Sequence, residues 1–146
     1  MTATAHALIG GAVAASVPDP ALGLTISFIS HPLVDLIPHW DFGLNWRKKT
    51  RLKLFIEASL DLLFGVILSY IIFGQHVNFW YLAACIFVSE VWDIIEVPYW
   101  ILGWKIAPFT WVYKIQSKMQ GHAKLPWGIL TQIMTIVVLA IILQNY

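Results

Sequence analysis

Five apolar segments, separated by short polar stretches, dominate the chain. They cover residues 4–17, 21–37, 52–73, 79–102 and 125–143. Proline or glycine follows each of the first three segments, and Pro98 interrupts the fourth. An α-helix that crosses a membrane needs about 20 apolar residues at a rise of about 1.5 Å per residue. The last three segments satisfy this length, so the pattern predicts membrane-spanning helices.

The first two segments are shorter and predict either tilted spans or a re-entrant hairpin. Ala7, Gly11 and Ala15 recur every four residues in the first segment. Small residues at that spacing let helix backbones approach each other closely. We therefore expect an all-α fold, namely a polytopic membrane helical bundle of four to five spans. It forms a single transmembrane domain over residues 1–146.

The composition points to lipid as the solvent of this bundle. Hydrophobic residues make up 59% of the chain and charged residues 12%, about half the charged share of a soluble domain. The chain has eight Trp, eight Phe and five Tyr, which are residues that favour the membrane–water interface. Membrane lipids are thus the expected partners. A net charge of +1 gives no reason to expect nucleic acid, and the single Cys85 excludes a disulfide within the chain.

The basic residues predict the orientation of the bundle. All nine fall in two short segments, which contain Arg47, Lys48, Lys49, Arg51 and Lys53, and then Lys105, Lys114, Lys118 and Lys124. Because Lys and Arg are retained on the cytoplasmic side, both segments and the N-terminus are predicted to be cytoplasmic and Tyr146 to lie outside. The apolar start lacks the basic region of a signal peptide, so we expect it to be retained. Residues 103–124 mix aromatic residues with lysines, which suits a helix or loop in the interface.

On this topology the other ionisable residues gather at the cytoplasmic end. They are His6, His31, Asp35, His39, Asp41, Glu57, Asp61, Glu90, Asp93, Glu96 and His122, and only Asp19 and His76 fall on the far side. A charged residue near the centre of a spanning helix costs about 2.5–3.5 kcal/mol on insertion scales. Several acids in one leaflet also repel each other. A bound cation would relieve both penalties.

The densest cluster lies between His31 and Asp41. His31 and Asp35 are four residues apart and lie on one face of a helix. Pro38 then breaks the helix and lets His39 turn back towards them. Imidazole and carboxylate together suit a divalent metal, zinc first, with manganese or iron as alternatives. An open coordination position would let such a metal activate water.

Two acids of the third segment are the predicted catalytic residues. Glu57 and Asp61 are also four residues apart, and we expect them to act as general base, as metal ligands or as partners of the histidines. Asp61 is therefore also a candidate ligand. An alternative for Glu57 is a simple ion pair with Arg51 or Lys53.

The fourth segment and the two outlying histidines supply the remaining candidates. Glu90, Asp93 and Glu96 step by three residues and drift around the helix, so not all of them can face one site. Asp93 is included as a candidate metal ligand. His6 and His122 are candidates too, although a single histidine near a helix end is often only an interfacial polar residue.

Several motifs carry a resemblance to a known family. Residues 4–10 read Thr-Ala-His-Ala-Leu-Ile-Gly, a Pro-Asp pair follows at 18–19, and residues 30–41 contain Ser-His…Asp…Pro-His-Trp-Asp. Together they resemble the small bacterial and archaeal membrane-bound metal-dependent hydrolases of the YdjM-like family. The similarity covers the first 45 residues; Asp61, and His122 before Trp127 and Gly128, match more loosely. The block also resembles the His-x-x-x-Asp…Pro-x-His signature of zinc-dependent phospholipases C, but here Pro38 directly precedes His39.

The resemblance implies a metal-assisted hydrolase at the surface of a prokaryotic inner membrane. By match to the motif, the implied ligands or near-ligands are His6, His31, Asp35, His39 and Asp41. The expected function is hydrolysis of a phosphoester or lipid head group at the cytoplasmic interface. The lysine-rich interface is expected to hold anionic head groups.

Two other classes of function compete with the hydrolase. A proton or cation transporter would need a file of polar residues across the whole membrane, and the outer leaflet is almost free of them. A non-catalytic membrane scaffold would hold a fully coordinated structural metal.

Overall fold

The computed structural model describes residues 1–144 and consists of helices. The six α-helices are α1 (Ala3–Ser16), α2 (Pro20–Asp35), α3 (Arg51–Phe73), α4 (Phe79–Val97), α5 (Phe109–Met119) and α6 (Trp127–Gln144). A short 3-10 turn spans Trp46–Lys48, and a π-helix spans Pro98–Leu102 directly after α4. No strand occurs within the described residues, which confirms the all-α prediction. Tyr146 lies outside the described residues.

Polar caps and proline explain where these helices begin. The side chains of Thr2, Asp19, Thr50 and Asn78 each accept a hydrogen bond from a backbone N–H in the first turn of α1, α2, α3 and α4, respectively. Such caps satisfy donors that have no partner within the helix. The helical segments agree with the predicted apolar segments to within about two residues, because apolar runs, caps and breakers are all local signals.

Pro98 changes the geometry of the fourth segment without ending it. The chain continues from α4 into the π-helix, which ends at Gly103. Gly103 has a φ of 74°, in the left-handed region that favours glycine. The guanidinium of Arg51 packs against this glycine, 3.0 Å from the position that a Cβ would take.

Helix α1 lies at the centre of the bundle and contacts α2, α3, α4 and α6. Ten of its 14 residues are buried, because Ala and Gly let the neighbouring backbones come close. A Cβ on Gly10 would lie 2.8 Å from the carbonyl oxygen of Cys85 in α4. A Cβ on Gly65 of α3 would lie 2.5 Å from the Cα of Thr4. The close packing predicted for the small residues is present on several sides of α1. Ala15, however, is exposed.

Helix α5 lies against α2, α4 and the π-helix. It forms part of the segment for which an interfacial helix or loop was expected. In this fully described helix one residue, Gln116, is buried. The lysines and Trp111 are exposed, so α5 touches the bundle along a narrow face.

The outside of the bundle is largely apolar. Large hydrophobic side chains are exposed along α2, α3 and α6, for example Phe64 at 60% and Ile71 at 66%. By length and composition, one helix of the described chain, Arg51–Phe73, is long and apolar enough to cross a membrane, with a mean hydropathy of 1.9. The apolar helices Ala3–Ser16 and Trp127–Leu143 are shorter, and α4 carries three acids. Helix length and composition thus support one span, fewer than the four to five expected.

The inside of the bundle has an apolar half and a polar half. Ala7, Ala14, Leu82, Cys85 and Ile86 form an apolar cluster between α1 and α4. The buried histidines and acids lie at the opposite end, where α1 starts and where α2 and α4 finish. This arrangement places the ionisable residues beside the two loops that contain the basic residues.

Candidate metal centre

Four buried or half-buried side chains from three helices meet at the polar end, and we call them the inner group: His6, His31, Asp35 and Asp93. His6 Nε2 lies 3.2 Å from Asp35 Oδ1, and His31 Nε2 lies 3.5 Å from Asp35 Oδ2. His31 Nε2 is also 3.5 Å from Asp93 Oδ1. His6, His31 and Asp93 each offer one ligand atom, and these atoms lie within 4.8 Å of one another. Their geometry can hold a metal ion.

The spacing within the inner group suits a shared cation better than hydrogen bonds. Two ligand atoms, each about 2.0–2.1 Å from a tetrahedral zinc ion, lie about 3.3 Å apart. Three of the nitrogen–oxygen separations are 3.2–3.5 Å. His6 Nε2 and Asp35 Oδ2 are buried and have no hydrogen-bond partner among the described residues. An unpaired buried polar group costs about 1–3 kcal/mol, and a metal ion would satisfy both atoms.

Ser89 of α4 contacts both histidines of the inner group, the ring of His31 and the backbone of His6. The Nδ1–H of His31 donates to the carbonyl oxygen of Ser89 at 2.5 Å, which leaves the lone pair of Nε2 facing Asp35 and Asp93. The hydroxyl of Ser89 donates to the carbonyl oxygen of His6 at 2.9 Å. The two imidazole rings stack with centroids 3.7 Å apart and an interplanar angle of 9°. A backbone acceptor on Nδ1 is the usual device that fixes the tautomer of a metal-binding histidine.

A second cluster, the outer group, consists of His39, Asp41 and His122. Two loop segments come together here through an isolated parallel β-bridge that pairs His39 with His122. The N–H of His39 donates to the carbonyl of Gly121 at 3.0 Å, and the N–H of Ala123 donates to the carbonyl of His39 at 2.8 Å. These backbone bonds hold the two histidines side by side.

The side chains of the outer group also converge. His39 Nε2 is 3.5 Å from Asp41 Oδ2, and His122 Nδ1 is 3.9 Å from the same oxygen. The Nδ1–H of His39 donates to the carbonyl of Ile37 at 2.8 Å. Within the part of the chain that the structure describes, Nε2 of His39 and Oδ2 of Asp41 are buried without a hydrogen-bond partner. This pattern repeats that of the inner group.

Asp35 connects the two groups. Its Oδ1 is 3.9 Å from Nε2 of His39, so this carboxylate faces the Nε2 atoms of three histidines, His6, His31 and His39. The amino group of Met1 also contacts Oδ1. The chain therefore turns back after Pro38 and brings His39 towards α2, as predicted.

Gln116 reaches the inner group, and sequence reasoning did not identify it. Its Nε2 donates to Nε2 of His31 at 2.9 Å and to Oδ1 of Asp93 at 3.3 Å. Its Oε1 is buried and lacks a hydrogen-bond partner within residues 1–144. A glutamine among aromatic residues and lysines carries no motif, so no local signal could have found it.

Asp61, a predicted ligand and proton acceptor, holds the start of α1. Its Oδ2 accepts a hydrogen bond from the N–H of Ala3 at 2.7 Å. Its Oδ1 accepts from the N–H of Thr4 at 3.3 Å and from the Thr4 hydroxyl at 2.6 Å. Both oxygens are occupied by these donors, so the structure gives Asp61 the role of anchoring the helix that carries His6.

Glu57, the other predicted catalytic residue, pairs with two lysines, one in the loop before α3 and one in its first turn. Its carboxylate contacts Nζ of Lys49 and lies 3.9 Å from Nζ of Lys53. The alternative prediction, an ion pair of Glu57 with Arg51 or Lys53, describes this arrangement in part. Lys49 is a closer partner than Lys53, and Arg51 instead packs on Gly103. The structure does not bring Glu57 to the histidines.

A cavity of about 560 Å³ lies beside the inner and outer groups. Asp41, Asp61, Glu90, Asp93 and Glu96 are its acidic lining residues. Glu96 Oε2 accepts a hydrogen bond from Nε1 of Trp100 at 2.5 Å. One oxygen of Glu90 and one of Glu96 are buried with no hydrogen-bond partner in the described chain. Both acids are thus held largely buried at the wall of the cavity.

A second cavity, of about 410 Å³, is basic. Arg47, Lys49, Arg51 and Lys105 line it, and it shares Trp46, Arg47, Leu54 and Trp100 with the acidic cavity. Both basic segments of the sequence contribute to it. An anionic group in the basic cavity would thus lie next to a molecule that occupies the acidic one.

Asp93 of the inner group and Asp41 and His122 of the outer group line a cavity that is large enough for a small substrate. Such a donor set can hold a divalent ion and leave one coordination position open to water. Comparison with known proteins adds no assignment, since no family model, curated protein or solved structure matches the chain.

Proposed function

We propose that this chain is a membrane-embedded, metal-dependent hydrolase that acts at the cytoplasmic interface on a phosphoester, with a lipid head group as its natural substrate. The inner group carries this proposal, because its imidazole and carboxylate atoms lie at metal-ligand spacing and one of its members, Asp93, lines a cavity. The resemblance of the first 45 residues to the YdjM-like hydrolases points in the same direction.

The distribution of polar and apolar side chains supports a membrane location. Histidines and acids are buried while Leu, Ile and Phe are exposed on several helices, the reverse of a water-soluble fold. Helix α3 is about 34 Å long at about 1.5 Å per residue, enough for a hydrocarbon core of about 30 Å. Because α1 is enclosed by other helices, its shorter length need not match the bilayer. We propose four to five spans, with the basic loops and the inner and outer groups on the cytoplasmic side.

The donor set suits one or two divalent ions, with zinc preferred and manganese or iron as alternatives. The inner group provides the first place, and the outer group, joined to it through Asp35, provides a second. When bound, such an ion lowers the pKa of a coordinated water so that hydroxide can attack a phosphoester near neutral pH.

The chain's own residues would orient the substrate and move the proton. The cations of the basic cavity hold the anionic head group, since Arg and Lys form charge-assisted hydrogen bonds with phosphate. Glu90 and Glu96 line the acidic cavity and are the candidates for proton transfer. Glu96 is held in place by Trp100.

Two features favour this function over a transporter or a scaffold. The apolar cluster around Leu82 and Cys85 occupies the half of the bundle away from the histidines, so the described interior offers no support for a continuous polar file. The cavity beside the inner group supports a metal site with an open position, whereas a structural metal is normally closed by protein ligands.

The test compares bound metal in two matched double variants. The wild type, purified in detergent, is expected to carry at least one zinc, manganese or iron ion per chain by elemental analysis. The variant His31→Ala with Asp35→Ala should lose it, whereas the control His76→Ala with Asp19→Ala, at the far end of the bundle, should retain it. Negligible metal in the wild type would end the proposal.

Activity is then measured on phospholipids in mixed micelles and on a soluble phosphodiester, with and without a chelator. Hydrolysis that the chelator abolishes and the metal restores is the expected result. Tightly bound metal without any hydrolysis would favour the scaffold.

A further inference from the structure

We infer that Gln116 is a further ligand of the ion at the inner group, and that binding of this ion fastens α5 over the site. The inference rests on the proposed metal function and adds a component to it. The structure places a neutral amide from a separate, amphipathic helix between two of the atoms that would bind the ion, His31 Nε2 and Asp93 Oδ1.

The burial of Gln116 marks it as part of the site. It is 2% exposed, and within α5, all of which is described, it is the one buried residue. A helix that lies on a bundle normally buries apolar side chains against it. Here the buried side chain is a glutamine that reaches past the surface to the ligand atoms, which indicates a role in binding.

The hydrogen bonds of the amide identify the atom that would bind the ion. The lone pair of His31 Nε2 accepts from the amide N–H, because the Nδ1–H of that ring donates to Ser89. One lone pair cannot serve both this N–H and a metal ion. A half-turn about the terminal torsion of Gln116 exchanges Nε2 and Oε1, and it would bring the unpartnered Oε1 towards the ion. Amide oxygens are good ligands for hard and borderline divalent ions.

The position of α5 gives this ligand a mechanical consequence. Trp111 and Ile115 are exposed on α5, and Lys114 and Lys118 lie beside them, a composition typical of a helix in the membrane interface. Such a helix has affinity for lipid as well as for the bundle. A bond from the ion to Gln116 would hold α5 to α2 and α4, and release of that bond would expose the inner group to a lipid substrate.

The experiment measures zinc affinity and the hydrogen exchange of α5 in the same full-length variants. The variants are Gln116→Ala, Gln116→Glu, which restores an oxygen ligand, and Ser117→Ala as the control. Ser117 is the next residue of the same helix, and among the described residues its hydroxyl donates back to the carbonyl of Lys114. Zinc affinity is obtained by competition with a chelator, and exchange is followed on α5 peptides with and without zinc.

Zinc is expected to slow exchange in α5 of the wild type and of Ser117→Ala. Gln116→Ala should bind zinc about tenfold or more weakly, by analogy with the loss of other groups that support a metal site. Its α5 should exchange at the metal-free rate even when zinc is saturating. Gln116→Glu should recover both affinity and protection. Equal metal-free exchange in α1 and α4 of all variants shows that the bundle itself has not changed.

Two results overturn the inference in distinguishable ways. If Gln116→Ala binds zinc as tightly as the wild type and zinc protects its α5 equally, Gln116 is not a ligand, and the proposed hydrolase survives. If the wild type binds no zinc, manganese or iron, the proposed function fails and this inference fails with it.

Discussion

Replacing Asp61 by alanine tests whether this acid anchors α1 or binds metal. The carboxylate accepts hydrogen bonds from the N–H groups of Ala3 and Thr4 and from the hydroxyl of Thr4. The two N–H groups belong to the first turn of α1, where backbone donors have no partner within the helix. Asp61→Ala therefore leaves both donors unpaired at the start of the helix that carries His6.

The magnitude follows from these contacts. A hydrogen bond to a charged group contributes about 1.5–3 kcal/mol, and a negative charge at a helix N-terminus adds about 0.3–1 kcal/mol. Thr2 still caps Ala5, so the N-terminus of α1 is only partly uncapped. We expect a loss of about 2–4 kcal/mol in the free energy of unfolding. For a chain of this size that is a fall of about 5–15 °C in the unfolding midpoint.

The single cysteine provides the assay. Cys85 is fully buried between α1 and α4, so a thiol-reactive dye reports unfolding as the temperature rises in detergent. Asp19→Ala is the matched control, because Asp19 caps α2 with one exposed hydrogen bond and should cost about 1 kcal/mol. Asp61→Ala should unfold earlier and retain its metal. An unchanged midpoint together with loss of the metal would refute the anchoring argument and restore Asp61 as a ligand.

Three further predictions concern the proton acceptor, the helix packing and the basic cavity. Glu96→Gln keeps the side-chain shape but removes a proton acceptor, so hydrolysis should slow about 100-fold or more at unchanged metal content; full activity would exclude that role. Gly10→Ala places a Cβ 2.8 Å from the carbonyl oxygen of Cys85 and should lower the free energy of unfolding by about 1–3 kcal/mol. The dye should then label Cys85 at a lower temperature than in the wild type. Labelling at the wild-type temperature would contradict the close approach of α1 to α4. Arg51→Gln should weaken binding to anionic phospholipid vesicles about fivefold, equivalent to about 1 kcal/mol, and should leave the metal content unchanged. If the wild type binds anionic and neutral vesicles equally, the basic cavity is not a head-group site.

The helices were predictable because their signals are local. An apolar run, a polar cap and a proline or glycine each act within a few residues, so the segments agree with the observed helices to within about two residues. The behaviour of Pro98 was less predictable, since a proline after an apolar run ends some helices and bends others. Here the chain continues into a π-helix that ends at Gly103.

The site was predictable only where its geometry is local. The pairing of His31 with Asp35 follows from a separation of four residues, and the return of His39 follows from Pro38. The approach of His6 to the other members of the inner group depends on tertiary packing. The motif that made His6 a candidate does not reveal that its ring stacks on His31. The roles of Asp61 and Glu57 could not be separated in the sequence, because both are acids near the start of the same helix. Lys49 is only eight residues from Glu57, but the partner of Asp61, the start of α1, lies 58 residues away in the chain.

The small residues of α1 and the histidines of the inner group are parts of one arrangement. Gly10 lies one helical turn from His6, and at that level α1 meets the backbone of Cys85 and the hydroxyl of Ser89 in α4. The same Ser89 binds the carbonyl of His6 through its hydroxyl and orients His31 through its own carbonyl. Because Ser89 contacts the backbone of His6 and the ring of His31, a side chain at Gly10 that separated α1 from α4 would also move His6 away from His31 and Asp35. The close packing of α1 is therefore a condition for the geometry of the inner group as well as for the stability of the bundle.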